Sequence, residues 1–264
     1  MIDVEGLSKW FFRSTANEVL AVDNVSFGCS EGEWISIIGS NGAGKSTLLK
    51  AVAGLVYPDR GRVALGGRTC TRWPDYKRAR FVGRIDQDPM ASTAPSMTVA
   101  ENLAMAYRRG HRRGFRRGVT RSRRSTFRES LSEIGIGLED RMDGLVMNLS
   151  GGQRQALALV MATIAGTKVL LLDEHVAALD PKASTQVMRL TESTVRRHGL
   201  ACLMVTHNME HAIRYGDRLL MMHTGRVILD VSGDEKRALS VDSLVDRFHQ
   251  VSGERFSDDR ALLT

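Results

Sequence analysis

The sequence contains few cysteines and no long hydrophobic run. Of its 264 residues only three are cysteines, and Cys29, Cys70 and Cys202 are too widely spaced to form a metal knuckle. An odd number of scattered thiols argues against a disulfide framework and fits a reducing compartment. No apolar run approaches the roughly 20 residues that cross a bilayer, and Asp3 and Glu5 stand where an export signal needs basic and then apolar residues. We therefore expect neither a membrane-spanning helix nor an export signal.

Acidic residues are missing from one stretch, 108–128, which reads RRGHRRGFRRGVTRSRRSTFR and holds ten arginines. The formal net charge of the chain is +7, so everything outside this stretch carries −3. The basic character is therefore local, and we call residues 108–128 the arginine-rich segment. Its three glycines, at 110, 114 and 118, would each cost about 1 kcal/mol in a helix interior, which predicts a mobile loop rather than a regular helix.

The hydrophobic fraction of 42% is enough for a soluble globular protein with a substantial core. A strand is predicted at 34–38, and the continuous apolar runs at 169–172 and 202–205 predict strands buried on both faces of a parallel sheet. Helical periodicity alternates with these strands, so the expected fold class is α/β with three layers. Residues 88–160 show few strand signals and two helical runs, which predicts a helical subdomain inserted into the sheet domain.

A glycine-rich stretch between the first of these strands and a helix has the phosphate-binding loop pattern. The loop comprises Gly39, Ser40, Asn41, Gly42, Ala43, Gly44, Lys45, Ser46 and Thr47. Glycines let the backbone N–H groups wrap a polyphosphate, and the following helix adds the positive end of its dipole. Lys45 is expected to contact the β and γ phosphates of a nucleotide, and the Ser46 hydroxyl is expected to ligate Mg²⁺.

Two acidic residues follow the buried strand at 169–172. Asp173 stands at the carboxyl end of the strand, where open α/β sheets bind ligands, and is a candidate ligand of Mg²⁺. Glu174 is then placed to polarise a water molecule beyond the γ phosphate, as a general base. The pair is a weak signal alone, but a phosphate loop earlier in the chain favours the catalytic interpretation.

The stretch LSGGQ, residues 149–153, lies between the phosphate loop and the strand that ends in Asp173. In this context it resembles the signature of the ATPase subunit of ABC transporters. Gln87, within RIDQDP, matches the Q-loop of that family, residues 177–180 match the D-loop, and His207 matches the switch histidine. These motifs occur in family order, and the resemblance runs from about residue 2 to residue 235.

The resemblance implies a P-loop NTPase ABC-ATPase fold, with a RecA-like parallel sheet core and an N-terminal antiparallel β part. It implies one ATPase domain over 1–235, with the helical subdomain at about 88–160 inserted in it, and a C-terminal helical tail over 236–264. It also implies ATP and Mg²⁺ as ligands and ATP hydrolysis as the reaction.

In this family ATP lies between two subunits, so Lys45 of one chain and the signature of the other are expected to hold the same γ phosphate. The signature residues with this expected role are Ser150, Gly151, Gly152 and Gln153. Gln87 is expected to reach Mg²⁺, His207 to contact the γ phosphate, and Asp180 to couple the two sites. One chain alone would then be inactive, and a homodimer is expected.

Two local features leave alternatives open. Within Trp10-Phe11-Phe12, alignment favours Phe11 as the aromatic that stacks on adenine, with Phe12 second and core packing as the other explanation. His175 stands where the family usually has proline. It is either a tolerated polar turn residue or a titratable group that influences Glu174.

The expected partners are transmembrane permease subunits, a substrate-binding protein and a second ATPase subunit, which would place the chain at the cytoplasmic face of the cell membrane. The chain resembles import ATPases of the tryptophan/tyrosine, or amino-acid, branch. The arginine-rich segment is then expected to face anionic lipid or the permease, because it lies between Gln87 and Ser150. A solvated loop and an ATPase that acts on nucleic acid through 108–128 are the alternatives. Nucleic acid is the less favoured of these, because the segment has few aromatic residues for base stacking.

Overall fold

The computed structural model describes residues 1–88, 90–110 and 117–252. The strands are β1 (Ile2–Phe11), β2 (Val19–Cys29), β3 (Trp34–Gly39), β4 (Arg60–Leu65), β5 (Arg68–Thr69), β6 (Val82–Ile85), β7 (Val169–Asp173), β8 (Ala201–Val205), β9 (Arg218–His223) and β10 (Arg226–Ser232). The α-helices are α1 (Lys45–Ala53), α2 (Asp75–Arg78), α3 (Val99–Tyr107), α4 (Arg121–Ser132), α5 (Gly151–Thr163), α6 (Pro181–His198), α7 (Met209–Arg214), α8 (Gly233–Arg237) and α9 (Val241–Ser252). The predicted strands at 34–38, 169–172 and 202–205 are confirmed as β3, β7 and β8.

The larger sheet has six strands in the order β10-β9-β3-β8-β7-β6. All neighbouring pairs are parallel except β10 with β9. Alternate residues of β7 enter separate cores on the two faces, Leu171 on one side and Leu170 and Leu172 on the other. This burial on both faces explains the continuous apolar run in the sequence. Because the strands are parallel, the carboxyl ends of β3, β6, β7 and β8 meet at one edge of the sheet.

The smaller sheet is antiparallel, with strand order β2-β1-β4-β5. Its inward residues, among them Leu7 and Val22, share one core with Leu48 and Leu49 of α1 and with one face of the six-stranded sheet. Helix α1 therefore lies between the two sheets, and the phosphate loop that precedes it is backed by β2. This arrangement confirms the expected α/β class with an N-terminal antiparallel β part.

Helices α3, α4 and α5 share a core of their own, to which Leu103, Phe127, Leu131 and Leu157 contribute. Helix α4 includes residues 121–128 of the arginine-rich segment, so the prediction of a loop is wrong for that part. The helix forms because Thr120 caps its first turn by accepting a hydrogen bond from Arg123 N–H, and because Phe127 and Leu131 are fully buried. Residues 111–116 of the segment lie outside the described residues, as does Pro89.

The C-terminal helices pack on the far side of the six-stranded sheet. Leu244 and Phe248 of α9 share a core with Ile38, Leu219 and Met221 of the sheet. Helices α8 and α9 lie in the region that the sequence predicts to be a helical tail, whereas residues 253–264 lie outside the described part of the chain. The division of the chain at 235 stays a prediction. Within the described ranges, no helix is both long and apolar enough to span a membrane.

Candidate nucleotide site

The phosphate loop joins β3 to α1 and is packed tightly against neighbouring backbone. A Cβ atom on Gly39 would lie 2.1 Å from Met222 O, and one on Gly44 would lie 2.0 Å from Ala21 O. Both residues also have positive φ angles, 149° and 93°. Only glycine fits these positions, because any side chain would meet a carbonyl oxygen and strain the backbone. The loop thereby leaves the first N–H groups of α1 without intrahelical acceptors.

Lys45 is the first residue of α1 and is only 6% exposed. Its Nζ donates to Gly39 O at 2.7 Å and to Ser40 O at 2.9 Å, so the side chain bends back over the loop. Burial lowers the pKa of Lys45, while the nearby Glu174 and Asp173 act to raise it. A lysine held in this way presents a positive charge to an anion bound in the loop.

Ser46 and Asp173 come together across the edge of the sheet. The Ser46 hydroxyl donates to Asp173 Oδ1 at 3.0 Å. Burial raises the pKa of Asp173, the hydrogen bond from Ser46 opposes this, and the charge of Glu174 adds to it. A hydroxyl and a carboxylate are hard oxygen ligands of the kind that Mg²⁺ takes together with phosphate oxygens and water. The described residues contain no cluster of three or more acidic, histidine or cysteine side chains suited to a metal.

Glu174 and His207 also meet at this edge. Glu174 follows β7 with a left-handed φ of 51°, and its N–H donates to Val205 O at 3.0 Å. His207 follows β8, and its Nε2 lies 2.5 Å from Glu174 Oε1. The structure therefore brings together the two residues that the sequence identifies as general base and switch histidine. Their roles stay predictions.

Gln87 lies two residues beyond β6 at the same edge, with an exposed side chain. It makes no hydrogen bond to Ser46 or Asp173 within the described residues. Gln87 therefore lies at the carboxyl-terminal edge of the sheet, as predicted for a residue of this site, but among the described residues it is not hydrogen-bonded to the predicted magnesium ligands.

The signature forms the start of α5. Ser150 caps the helix by accepting from Gln153 N–H at 3.3 Å, and Gln153 Oε1 accepts from Ser150 N–H at 3.2 Å. This capping box fixes the turn. A Cβ atom on Gly151 would lie 3.1 Å from Leu179 Cδ2, and one on Gly152 would lie 3.2 Å from Ala183 Cβ in the first turn of α6. Asp180 caps α6 by accepting from Ala183 N–H at 2.9 Å.

No hydrogen bond or ion pair joins Ser150 or Asp180 to Lys45 or Glu174 within the described residues. The structure therefore does not unite the signature and the phosphate loop of one chain into a single site.

The N-terminal aromatic residues surround the end of β1. Phe11 is half-buried and pairs in register with Val19, two residues before the Ala21 carbonyl that backs the phosphate loop. Phe12 has a φ of 51° and is 71% exposed. None of Trp10, Phe11 and Phe12 belongs to the buried core. Both phenylalanines stay candidates for contact with a nucleotide base.

His175 is not a solvated turn residue. Its ring is buried, and its Nε2 lies 3.3 Å from Thr191 Oγ1 in the middle of α6. Burial lowers the pKa of His175 to about 3, with a smaller contribution from His211. The ring is therefore neutral near neutral pH. The sequence does not reveal this contact, because Thr191 lies on the far side of a turn and fits no local pattern.

A cavity of about 530 Å³ lies beside the catalytic candidates. Its walls include Glu174, His175, His207 and His211, so it reaches from the sheet edge to the space between α6 and α7. It provides room for water next to the predicted general base.

The arginine-rich segment is partly tied into the fold. Its residues with contacts inside the chain include Arg109, which donates to Met161 O and Ala162 O, Arg123, which donates to Arg117 O and Gly118 O, Arg124, which pairs with Asp143, and Arg128, which donates to Glu139 O. Arg117 and Arg121 are exposed and have no side-chain partner among the described residues. At least four of the ten arginines thus stabilise the region formed by α3, α4 and α5, which we call the helical layer.

Comparison with known proteins gives a consistent result. The family model described as "ABC transporter" matches residues 22–177. The chain is 44% identical to the tyrosine transport ATP-binding protein of Clostridioides difficile over 248 residues, covering 94% of this chain and 98% of that one. It is 35% identical to the aliphatic sulfonates import ATP-binding protein SsuB of Burkholderia ambifaria and 36% identical to the methionine import ATP-binding protein MetN of Geobacillus kaustophilus. These matches cover 87% and 86% of this chain and 63% and 64% of those proteins.

Solved structures of ATP-binding cassettes have the same fold. A cassette solved as a dimer in a post-hydrolysis state with ADP and Pi superposes with a TM-score of 0.75 at 26% identity, covering 88% of this chain and 98% of the other. A second cassette, in its ADP conformation, superposes with a TM-score of 0.79 at 24% identity, covering 94% and 98%.

Proposed function

Since this chain belongs to the ABC transporter family and is an ATPase, we propose that it powers the import of an amino acid through a separate transmembrane permease. The observation that carries this proposal is the meeting of three pairs at one sheet edge: Lys45 with its loop, Ser46 with Asp173, and Glu174 with His207. Phosphate binding, magnesium binding and activation of water are then available within one site.

In this proposal the loop from Gly39 to Thr47 binds the ATP phosphates through its N–H groups, and Lys45 adds its charge. Ser46, Asp173 and Gln87 would hold the nucleotide's Mg²⁺, which would supply positive charge against the charge that develops on the phosphates. Glu174 accepts the proton of the attacking water, and His207 orients the Glu174 carboxylate and contacts the γ phosphate. Phe11 or Phe12 stacks on the adenine.

The signature turn supplies the second half of the site in a homodimer. Ser150, Gly151, Gly152 and Gln153 begin a helix whose first N–H groups suit an anion. Because this turn does not contact Lys45 of its own chain, a nucleotide held by both turns requires two chains. Asp180, which caps α6 beside the signature, would transmit the state of one site to the other.

The ATPase roles are tested by paired substitutions. Lys45→Ala should abolish ATP binding and turnover, because the loop loses its only buried cation among the described residues. Lys77→Ala, at an exposed lysine of α2, is the matched control and should bind fluorescent ATP like the wild type. Undiminished hydrolysis by Lys45→Ala would refute the phosphate-loop assignment.

Glu174→Gln should bind ATP, stop hydrolysis and accumulate as an ATP-bound dimer on size exclusion, since only the proton acceptor is removed. A variant that hydrolyses ATP at the wild-type rate, or that stays monomeric with ATP, would contradict the general-base role or the shared site.

The amino-acid substrate rests on the 44% identity with a tyrosine transport protein over nearly the whole of both chains. Substrate contacts would lie in the permease and in a substrate-binding protein. Co-expression with a candidate permease and substrate-binding protein should give ATP-dependent uptake of labelled tyrosine or tryptophan. Uptake of sulfonate or methionine instead would reassign the substrate.

We further propose that the permease docks at the cytoplasmic membrane face, in a groove between α2 and the helical layer. The groove has a volume of about 240 Å³, and its walls include Leu55, Tyr76, Arg84 and Arg109. Leu55 and Tyr76 are exposed large apolar residues that line this groove, which supports the proposal. Tyr76→Asp should weaken co-purification with the permease while leaving nucleotide binding intact; unchanged co-purification would exclude the groove.

Arg117 and Arg121, which have no side-chain partner among the described residues, suit anionic lipid, since each basic residue near such a surface contributes roughly 1 kcal/mol of attraction. The double variant Arg117→Glu/Arg121→Glu should lose flotation with phosphatidylglycerol liposomes, whereas Arg237→Glu, at another exposed arginine, should not. Equal recovery with neutral and anionic liposomes would exclude lipid. Steeply salt-dependent retention on duplex DNA by the wild type would revive the nucleic-acid alternative.

A further inference from the structure

We propose that His175 is a positioning residue for Glu174: anchored on α6, it holds the turn that directs the Glu174 carboxylate at His207. This inference rests on the proposed role of Glu174 as general base.

The backbone at Glu174 is in a conformation that needs support. A φ of 51° is unfavourable for a residue with a side chain, and such conformations persist only where the surroundings enforce them. On the strand side, Glu174 N–H is bonded to Val205 O. On the other side the chain enters a turn in which Ala177 and Ala178 are exposed. The turn is therefore not held from outside.

His175 and Val176 are the buried side chains that hold this turn from within. Val176 packs in the core with Val187 and Met188 of α6. His175 places its Nε2 3.3 Å from Thr191 Oγ1, one helical turn further along α6. His175 is thus hydrogen-bonded to α6, the helix that follows this turn and is capped by Asp180.

The hydrogen bond has a defined direction. Thr191 Oγ1 donates its proton to Val187 O at 2.9 Å, so it can only accept from the imidazole. His175 must then carry its proton on Nε2 and act as the donor. An alanine at 175 would lack both the donor and the volume.

The surroundings make the anchor necessary. The cavity of about 530 Å³ borders Glu174, His175 and His207, so among the described residues Glu174 faces open space on that side apart from its contact with His207. If the anchor is lost, Glu174 can relax to a negative φ and its carboxylate leaves His207. The phosphate loop, on α1 and β3, is untouched by this change. The signature of a positioning role is therefore a fall in kcat with little change in the KM for ATP.

The test is a double-mutant cycle on His175 and Thr191 in the full-length chain, measured as steady-state ATPase. His175→Ala should lower kcat about tenfold, the equivalent of one hydrogen bond of about 1.4 kcal/mol, with KM for ATP within about twofold. Thr191→Val should lower kcat in the same direction, and Thr191→Ser, which keeps the hydroxyl, should match the wild type. Because both residues act through one bond, the double variant should be no slower than His175→Ala alone. His175→Gln, which keeps an N–H donor, should recover most of the rate.

Several outcomes would overturn the proposal. If His175→Ala and Thr191→Val both keep the wild-type kcat, His175 does not position Glu174. If Glu174→Gln is inactive in the same assay, the general-base role stands and only the positioning role is excluded. Full activity of Glu174→Gln removes the general base and the proposal with it. Equal losses in kcat and in ATP affinity, or additive losses in the double variant, indicate a general structural defect. Should His175→Ala not fold, the Thr191→Val and Thr191→Ser pair decides the question alone.

Discussion

The structure predicts that the arginines of the arginine-rich segment fall into two kinds, and replacing Arg109 by alanine tests this. Arg109 is half-buried, and its guanidinium donates to Met161 O at 2.8 Å and to Ala162 O at 3.5 Å. These carbonyls belong to the last turn of α5, where intrahelical donors run out. Burial lowers the pKa of Arg109, which shows that the charge is partly removed from water.

The magnitude follows from the two bonds. A hydrogen bond from a charged donor contributes roughly 1.5–3 kcal/mol to stability, and the 2.8 Å bond to Met161 O is well formed. The 3.5 Å bond adds little, and Ala162 O keeps a second donor in Thr167 Oγ1 at 2.6 Å. Returning the charge to water offsets part of the loss, while the arginine stem loses its packing. We expect Arg109→Ala to lower the free energy of unfolding by about 2 kcal/mol.

Urea unfolding followed by far-UV circular dichroism measures this, with Arg117→Ala and Arg121→Ala as matched controls. Both control residues are exposed and lack side-chain partners in the described structure, so their unfolding free energies should stay within about 0.5 kcal/mol of the wild type. If Arg109→Ala is as stable as the controls, the contact with α5 contributes nothing, and the reasoning is wrong.

Two further predictions concern the site. Gly44→Ala should abolish ATP binding, because its Cβ would lie 2.0 Å from Ala21 O, whereas Gly42→Ala has no atom within 4 Å of its Cβ and should cost only the roughly 1–2 kcal/mol of a left-handed residue; equal affinities for a fluorescent ATP analogue would contradict this. In nucleotide- and metal-free protein, the His175 pKa of about 3 lies below the ordinary 6.5, so the unfolded chain takes up the proton first as the pH falls. The contribution of the neutral His175 ring to the free energy of unfolding is fully present above pH 6.5. It is lost between pH 6.5 and pH 3, by about 1.4 kcal/mol per pH unit. Urea unfolding at pH 7 and pH 5 should therefore show a loss of about 2 kcal/mol in the wild type that His175→Gln lacks, and an equal loss in both would refute the buried neutral ring.

Much of the fold could be predicted from short stretches. The runs at 169–172 and 202–205 indicate buried strands because β7 and β8 face a core on each side, so no polar position interrupts them. The phosphate loop is equally predictable from the sequence. Gly39 and Gly44 are dictated by carbonyl oxygens that would lie about 2 Å from an added Cβ atom, which leaves no choice of residue at these two positions.

Other features depend on residues far apart in the chain. The arginines and glycines of 108–128 favour a loop by composition, but α4 forms from residue 121 because Phe127 and Leu131 find a core built by α3 and α5. From the sequence, His175 is predicted to be a polar turn residue, because its hydrogen-bond partner Thr191 lies 16 residues further along the chain, in the middle of α6. The helical spacing of Phe127, Leu131 and Ile134 does predict the helical run that becomes α4, whereas the contact of His175 with Thr191 has no local signal, because tertiary packing supplies the partner.

Helix α5 explains why the arginine-rich segment cannot be treated as an appended arm. The helix begins at the signature, where Ser150 caps it, and ends at the carbonyls that Arg109 holds. Its 13 residues span about 20 Å, and buried residues along its length pack on both the sheet and the helical layer. A helix packed in this way moves as a unit, because sliding one end would open gaps in both cores. The predicted γ-phosphate contact at Ser150 and the contact made by Arg109 therefore lie at opposite ends of the same helix. The basic composition of the segment suggests nucleic-acid binding, but at Arg109 it stabilises the packing of the helical region.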